Sequence, residues 1–496
     1  MNDHRSNDWL DGKARQAMID NGFEPEFSDG IVDQLREIEG RDFLAESTDA
    51  KDLRDLDWSS IDNQTSRDLD QVEWAEQLDN GDIRVLVGIA DVDAAVEKGS
   101  PIDKRAARNT VSVYTESEVF PMLPEELSTD LTSLNEGEER LAVVADMIVK
   151  ENGDVPQSTF YRAVIRNRAK LDYPTVGEWF DDDGPIPQII ESKPELIAQL
   201  KLQRKAAERL HRYRQAKGAL EFESIESEAV VEDGNVKDIR SVRPNSAKRL
   251  IENFMVASNV EMAEFLESHG VASIRRVVHT PRNWEGIVRI AAEHGDHMPS
   301  YPDQPALAAF LERRRSADPE RFPDLSLSII KLIGSGEYLV EHPGQDAGGH
   351  FGLGVRDYAH STAPNRRYPD MVVQRLVKAV IAGRPQPYTP HELDAIAEHC
   401  NDREKAARKV ERKMRKIVAA AVMKKRVGER FDAIVTGVNE HGTFARILRP
   451  PVDGRIVRGD RGLGVGQKVN VKLLSANTSN GFIDFGAERN GSTHRT

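Results

Sequence analysis

"SSIDNQTSRDLDQ", Ser59 to Gln71, sets three aspartates, Asp62, Asp68 and Asp70, within nine residues. Asp68 and Asp70 are two apart, so on an extended chain their carboxylates point to one face. Asp62 lies six residues before Asp68 across "NQTS", a turn-prone stretch able to fold it back toward the others. Three converging carboxylates cannot all stay ionised at close range without a cation. Hard oxygen ligands suit Mg²⁺ or Mn²⁺, and such a site can hold a phosphodiester and activate water for in-line attack. A calcium loop counted from Asp62 puts Glu73 at its twelfth position, but Arg67 then stands where that loop needs glycine. An aspartate-rich surface loop without a ligand is the plain alternative, and this stretch alone does not decide between the two.

The rest of the chain sets bounds. At 496 residues it exceeds one ordinary core and should hold two to four domains. With 39% hydrophobic and 30% charged residues it has a soluble, globular balance. "MNDHRSNDWLDGKARQ" has no apolar signal-like region and no apolar run reaches spanning length, so no membrane is expected. The single cysteine, Cys400, excludes an internal disulfide framework and a thiolate zinc site, and a reducing cytoplasm fits best. The net charge of −15 argues, taken globally, against a nucleic-acid partner; an acidic surface adapted to high salt is one reading of it. Placement matters more than the sum. Arg403 to Arg426 carries eleven basic residues against two glutamates, and "NRRYPDMVVQRLVK" (Asn365 to Lys378) is a second basic cluster. Each is either a solvated helix face or a phosphate-binding surface.

Residues 1–57 read as small and helical, "WLDGKARQAMIDNG" and "FSDGIVDQLREIEG" each ending at a glycine that suits a C-cap. "IRVLVGIADVDAAVEKGSP" (Ile83 to Pro101) reads as a buried strand running into an acidic turn, and "RLAVVADMIVKENGDV" as a strand with a turn at Asn152-Gly153. "AQLKLQRKAAERLHRYRQAKG" and "KRLIENFMVASNVEMAEFLESHG" are long amphipathic helices, the second with Leu250, Phe254, Ala257 and Val260 at helical spacing for core packing. After the basic helix, "RFDAIVTGVNEHGTFARIL", "GRIVRG", "QKVNVKLLSAN" and "NGFIDFG" alternate between glycine turns, predicting a five-stranded barrel of the OB type. "AERNGSTHRT" reads as a frayed polar tail.

The Ser59–Gln71 stretch resembles the metal-binding signature of the ribonuclease II/ribonuclease R (RNB) family, S-I-D, a short turn, then D-[IL]-D-D. The likeness continues in order. "GIADVDAAVEKGSPID" resembles the family's IADV segment, and "TVSVYTESEVFPMLPEELSTDLTSLNEGEERLA" its PMLP…SLN segment. "LIENFMVASNVEMAEFL" resembles its long helix, and "GHFGLGVRDYAHSTAPNRRYPDMVVQRLVKA" its GHFGL…SPIRRY signature. The C-terminal barrel is similar to the S1-type domain of its members. The resemblance implies an α+β multidomain fold. Residues 1–57 would be the helical N-terminal region, 58–385 the catalytic domain of mixed sheets surrounded by helices, 386–426 a basic helical extension, 427–488 the S1-type domain and 489–496 the tail.

It also implies a 3′→5′ exoribonuclease that hydrolyses single-stranded RNA to nucleoside 5′-monophosphates with Mg²⁺, Mn²⁺ being possible, with a monomer favoured. By position Asp62, Asp68 and Asp70 match catalytic, metal-binding aspartates, and Arg366 the arginine near the scissile phosphate. Tyr114 matches the aromatic that stacks on the terminal base, and Glu411 a glutamate contacting the terminal nucleotides; a second stacking residue falls near His279. Arg367, Tyr368 and Phe444 complete the expected RNA-binding set.

Two departures stand out. Gln71 occupies the place of the fourth aspartate, so its carbonyl can ligate a cation but one negative charge is lost; Glu73, on the same strand face, could compensate in part. An attenuated, RNA-binding member of the family is therefore the alternative reading. In addition, only residues 1–57 precede the signature, too few for the paired cold-shock barrels that members often carry there, and a helix-turn-helix-like role for this segment is one possibility.

Overall fold

A computed structural model describes residues 4–181, 184–223, 226–232, 235–242 and 244–488. The tail expected to fray lies outside them. The alternating apolar runs form one curved sheet from β1 (Trp58–Asp62), β2 (Gln71–Gln77), β3 (Ile83–Ala90), β4 (Glu139–Val149) and β5 (Ser158–Asp172). Neighbours in this series pair antiparallel. The 15-residue β5 then also pairs parallel with β1, from Trp58↔Asn167 to Asp62↔Asp172, so the sheet runs round to meet itself. Gly88 lets its neighbouring strand pack close, since a Cβ there would sit 3.0 Å from Val72 Cγ2.

The outer face is covered by two helices, Pro194–Ala216 and Ser246–Ser268. Because β2 meets β1 only at Ser59↔Glu73, part of its edge is left over. Gln199 of the first helix fills it, exchanging two 2.8 Å hydrogen bonds with the backbone of Ala75. In the second helix Leu250 and Phe254 are core residues as the spacing predicts, and Phe265 packs on Phe160 of β5 with ring centroids 4.9 Å apart.

The basic stretch forms a 35-residue helix, Pro390–Lys424, opened by a complete capping box between Thr389 and Glu392. Its apolar side (Ala407, Val410, Met414) packs on Leu10, Ala14 and Met18 of the N-terminal helix His4–Asp20. Of the two glycine caps, Gly22 has φ +77, whereas Gly40 has φ −83, a right-handed conformation open to any residue.

Five further strands close into a barrel: β6 (Arg430–Asn439), β7 (Gly442–Leu448), β8 (Pro451–Arg458), β9 (Lys468–Asn477) and β10 (Phe482–Glu488), in the order β6-β7-β8-β10-β9. Ala433, Val435, Ala445, Ile447, Val471, Leu473 and Phe485 fill it. An ion pair from Arg446 to Asp324 ties the barrel to the Phe322–Ile333 helix of the larger domain. The expected α+β architecture with a five-stranded barrel is the one found.

Candidate active site

β1 ends at Asp62 and β2 begins at Gln71, so the aspartate stretch is the loop between two paired strands. Asp62 caps its own turn, its Oδ1 accepting from the Asn63 N–H at 2.7 Å and the Ser66 hydroxyl at 2.9 Å. Across the loop, Ser133 acts as a splint: its Oγ accepts from the Leu69 N–H at 2.9 Å and donates to the Arg67 carbonyl at 2.7 Å. That contact gives the "TSLN" segment a mechanical role that its composition did not reveal.

Asp70 is 1% exposed. Its Oδ1 accepts from the Asn365 N–H at 3.0 Å, and its Oδ2 pairs with Arg366 Nε at 3.1 Å, joining residues 296 apart in sequence. Burial pushes its carboxyl up to about 7; Arg366 and the Asn365 N–H pull the other way, while Asp68 adds to the rise. For Arg366, whose side chain is still 44% exposed, partial burial works against the charge, but Asp70 first and then Tyr114, Asp62 and Asp68 outweigh it and hold the guanidinium protonated. One cation thus sits among three carboxylates.

The loop that carries Arg366 is anchored from three sides. Asn259 of the Ser246–Ser268 helix accepts from the Ser361 N–H at 2.8 Å and its hydroxyl at 2.7 Å. Thr132 donates to the Asn365 side chain at 2.6 Å, and Asp370 accepts from the Ala363 N–H at 2.9 Å. Thr110, the non-glycine residue with φ +60, accepts from the Tyr368 N–H at 2.8 Å beside this loop. Sequence reading treated the Asn259 helix as plain core; the buried asparagine in an apolar stripe was the available signal.

The other expected residues divide. Tyr114 joins the cluster: its hydroxyl donates to Asp68 Oδ2 at 2.9 Å and the residue is 41% exposed. Glu411 accepts from the Tyr114 N–H at 3.4 Å, linking the long basic helix to the same place. Arg367 turns the other way, held by Asp370 through two bonds of 2.9 and 2.6 Å. Tyr368 is 3% exposed within the core, which leaves no ring face for a base. His279 lies apart from the aspartates, against Glu337 at 2.7 Å, and Phe444 is half-buried on the barrel.

Asp62, Gln71 and Arg366 line a cavity of about 460 Å³ with Tyr173, Thr362 and the Lys248, Arg249 and Met255 side chains of the covering helix. Two residues along β2 from Gln71, Glu73 is fully buried, with neither carboxylate oxygen hydrogen-bonded among the described residues; burial, with a smaller contribution from Asp62, raises its pKa well above the usual range. These donors fit a hard divalent ion: all are oxygen, and a buried carboxylate there has no hydrogen-bond partner among the described residues. Among the described residues, the carboxylates whose oxygens all lie within 4.8 Å of one another are Glu267, Glu341 and Asp357, not the aspartate trio. That grouping is served by Arg275, whose Nη2 lies 2.7 Å from Glu341, and by Arg356. In the trio, Arg366 stands between the charges instead.

Residues 50–383 match the RNB domain model, and residues 429–488 match the model of the RNase II-type exonuclease C-terminal S1 domain. The chain is 31% identical to Ribonuclease R of Vibrio cholerae over 476 residues, covering 88% of this chain and 56% of that protein. It therefore spans little more than half the length of that curated relative. In fold it is similar to Mycoplasma genitalium RNase R in complex with ribose-methylated single-stranded RNA (TM-score 0.86, 23% identity, 96% of this chain and 77% of the other). It is also similar to yeast Ssd1, a pseudonuclease (TM-score 0.67, 16% identity, 94% and 58%). Among the described residues no helix is long and apolar enough to cross a membrane. With two thirds of the chain inside one domain model, the chain belongs to the RNB family, the family of ribonuclease II and ribonuclease R.

Proposed function

We propose that the protein is a divalent-metal-dependent 3′→5′ exoribonuclease that releases nucleoside 5′-monophosphates from single-stranded RNA. The supporting observation is the convergence of Asp62, Asp68, Asp70 and Tyr114 on Arg366. In this reading Asp62, Asp68, Asp70 and the Gln71 carbonyl would hold the ion, Mg²⁺ or Mn²⁺. When bound, it lowers the pKa of a water and screens the scissile phosphate. Arg366 leaves Asp70 to meet charge building on the phosphoryl oxygens, a task suited to a planar cation that stays protonated. The exposed Tyr114 ring offers a stacking face beside the reacting phosphate, which serves any base. Discrimination for RNA falls to contacts with the 2′-hydroxyl.

The test uses 3′- and 5′-labelled oligoribonucleotides with Mg²⁺ or Mn²⁺. Mononucleotide release from the 3′ end is expected; intact RNA in both metals, with binding retained, rejects the reading. Gln71 supports one second reading, a binding protein of attenuated chemistry, and a fold shared with a pseudonuclease shows that architecture alone does not decide. Under that reading Gln71→Asp creates cleavage in a parent that has none.

A further inference from the structure

Glu73 is the residue of the site that its surroundings explain least. Gln71 and Glu73 are two apart on β2 and share a face. Strand pairing carries that face across the sheet, from Glu73 to Val87, from Val87 to Ala145 and from Ala145 to Phe160. Phe160 packs on Phe265, so the face is the one covered by the Ser246–Ser268 helix. Glu73 therefore lies in a largely apolar layer, 0% exposed, both oxygens without a hydrogen bond among the described residues. Asp62 is the charged group acting on it, and the Tyr173 hydroxyl feels Asp62, Glu73 and Arg366 together. A carboxyl group held this way costs a fold stability unless something uses it.

The same strand has lost a carboxylate two residues earlier, where glutamine stands in place of the fourth aspartate. We propose that Glu73 supplies the negative charge that Gln71 lacks, completing a four-carboxylate set for a divalent ion with Asp62, Asp68 and Asp70. Gln71 then contributes a neutral carbonyl oxygen at the mouth, and Glu73 the charge beneath it. The inference rests on the metal-dependent reading above, yet it concerns ion affinity and can be read without catalysis.

Mn²⁺ alone is the probe, titrated into metal-stripped full-length protein and followed by electron paramagnetic resonance. The variants are Glu73→Gln, Glu73→Leu and the double variant Gln71→Asp/Glu73→Leu, with Asp62→Asn identifying which sites are being read. Thermal unfolding in EDTA is recorded for each. Glu73→Gln and Glu73→Leu are expected to weaken Mn²⁺ at the Asp62-dependent site at least tenfold while melting several degrees higher in EDTA. The double variant regains the affinity. Mn²⁺ affinity within twofold of wild type in both single variants overturns the proposal, and so does a lower melting temperature in EDTA, which marks a structural glutamate. If wild-type protein cleaves no RNA while its Mn²⁺ affinity depends on Glu73, the exonuclease reading fails and this inference stands.

Discussion

Two acidic regions flank β3, and they are built on opposite terms. Beyond its C-terminal end, the "IADVDAA" turn brings Asp91 and Asp93, and the helix Pro101–Asn109 brings Asp103, against Arg162, Arg375 and Lys378. Lys378 Nζ lies 2.6 Å from Asp91 and 2.9 Å from Asp93; Arg375 lies 2.6 Å from Asp93 and 2.7 Å from Asp103 and takes a further bond with Tyr388. Three carboxylates meet three cations. Burial raises the Asp93 pKa, but Lys378 and Arg375 outweigh it and hold that carboxyl below its usual range. At the β1–β2 loop, Asp62, Asp68 and Asp70 share Arg366, and Asp70 is pushed up to about 7. A balanced cluster is a fastener, because every buried charge is already met. A cluster short of cations is built to receive one.

The sharpest way to break this contrast is Asp70→Asn. Turnover should fall by about 10³-fold or more, since the change removes a charge from the reacting centre, while RNA affinity in EDTA stays within a few-fold. Single-turnover cleavage and filter binding measure both. A near-parental rate would mean that the wrong cluster has been identified as the reactive one.

Arg375→Met tests the fastener. Removing this cation strips Asp103 of its ion pair in the interior and leaves Asp93 to Lys378 alone, so unfolding free energy should drop by about 3–5 kcal/mol. Denaturant melts follow it, and a loss under about 1 kcal/mol would show the network to be ornamental.

Glu261 sharpens the comparison as a buried carboxyl with no cation paired to it among the described residues. It is 7% exposed, and its pKa is pushed up to about 7 chiefly by burial, with Ser158 opposing and Glu264 and Asp154 adding. The folded pKa lies above the unfolded one, so its contribution is complete below about pH 4 and lost as pH rises to about 7. Glu261→Gln should flatten the stability profile across that window by about 3 kcal/mol. Chemical unfolding from pH 4 to 8 checks this, and an unchanged slope assigns the pH dependence elsewhere.

The smallest effect is expected from Tyr114→Phe. It keeps the ring and removes one hydrogen bond to Asp68, worth about 1 kcal/mol. Cleavage rate should change less than tenfold, whereas Tyr114→Ala, which removes the stacking face, should weaken RNA binding by about 1–3 kcal/mol. Equal losses in the two variants would shift the role of Tyr114 from the ring to the hydroxyl.

Much of this was legible along the chain. The Asn152-Gly153 turn, the Leu250/Phe254 stripe and the five alternating runs of the barrel are local patterns, and local backbone preference with a period of 2 or 3.6 is enough to write them. The aspartate loop was legible too, because its turn residues and spacing are local. Tyr368 was misplaced for the complementary reason: it stands in a motif rich in arginine, yet its helix, Tyr368–Ile381, is buried on nearly every side, and motif membership carries no information about burial.

The sequence by itself determined which segments are strands, helices and barrel, and which residue types are available for chemistry, since these depend on neighbours within a few positions. Only the tertiary structure decided how those charges are shared. The closure of β5 onto β1, the arrival of Arg366 at Asp70 and the isolation of Glu73 under a helix are contacts between distant segments. Whether a carboxylate fastens or reacts is set by the cations and the burial that folding brings to it, and neither is written beside it in the chain.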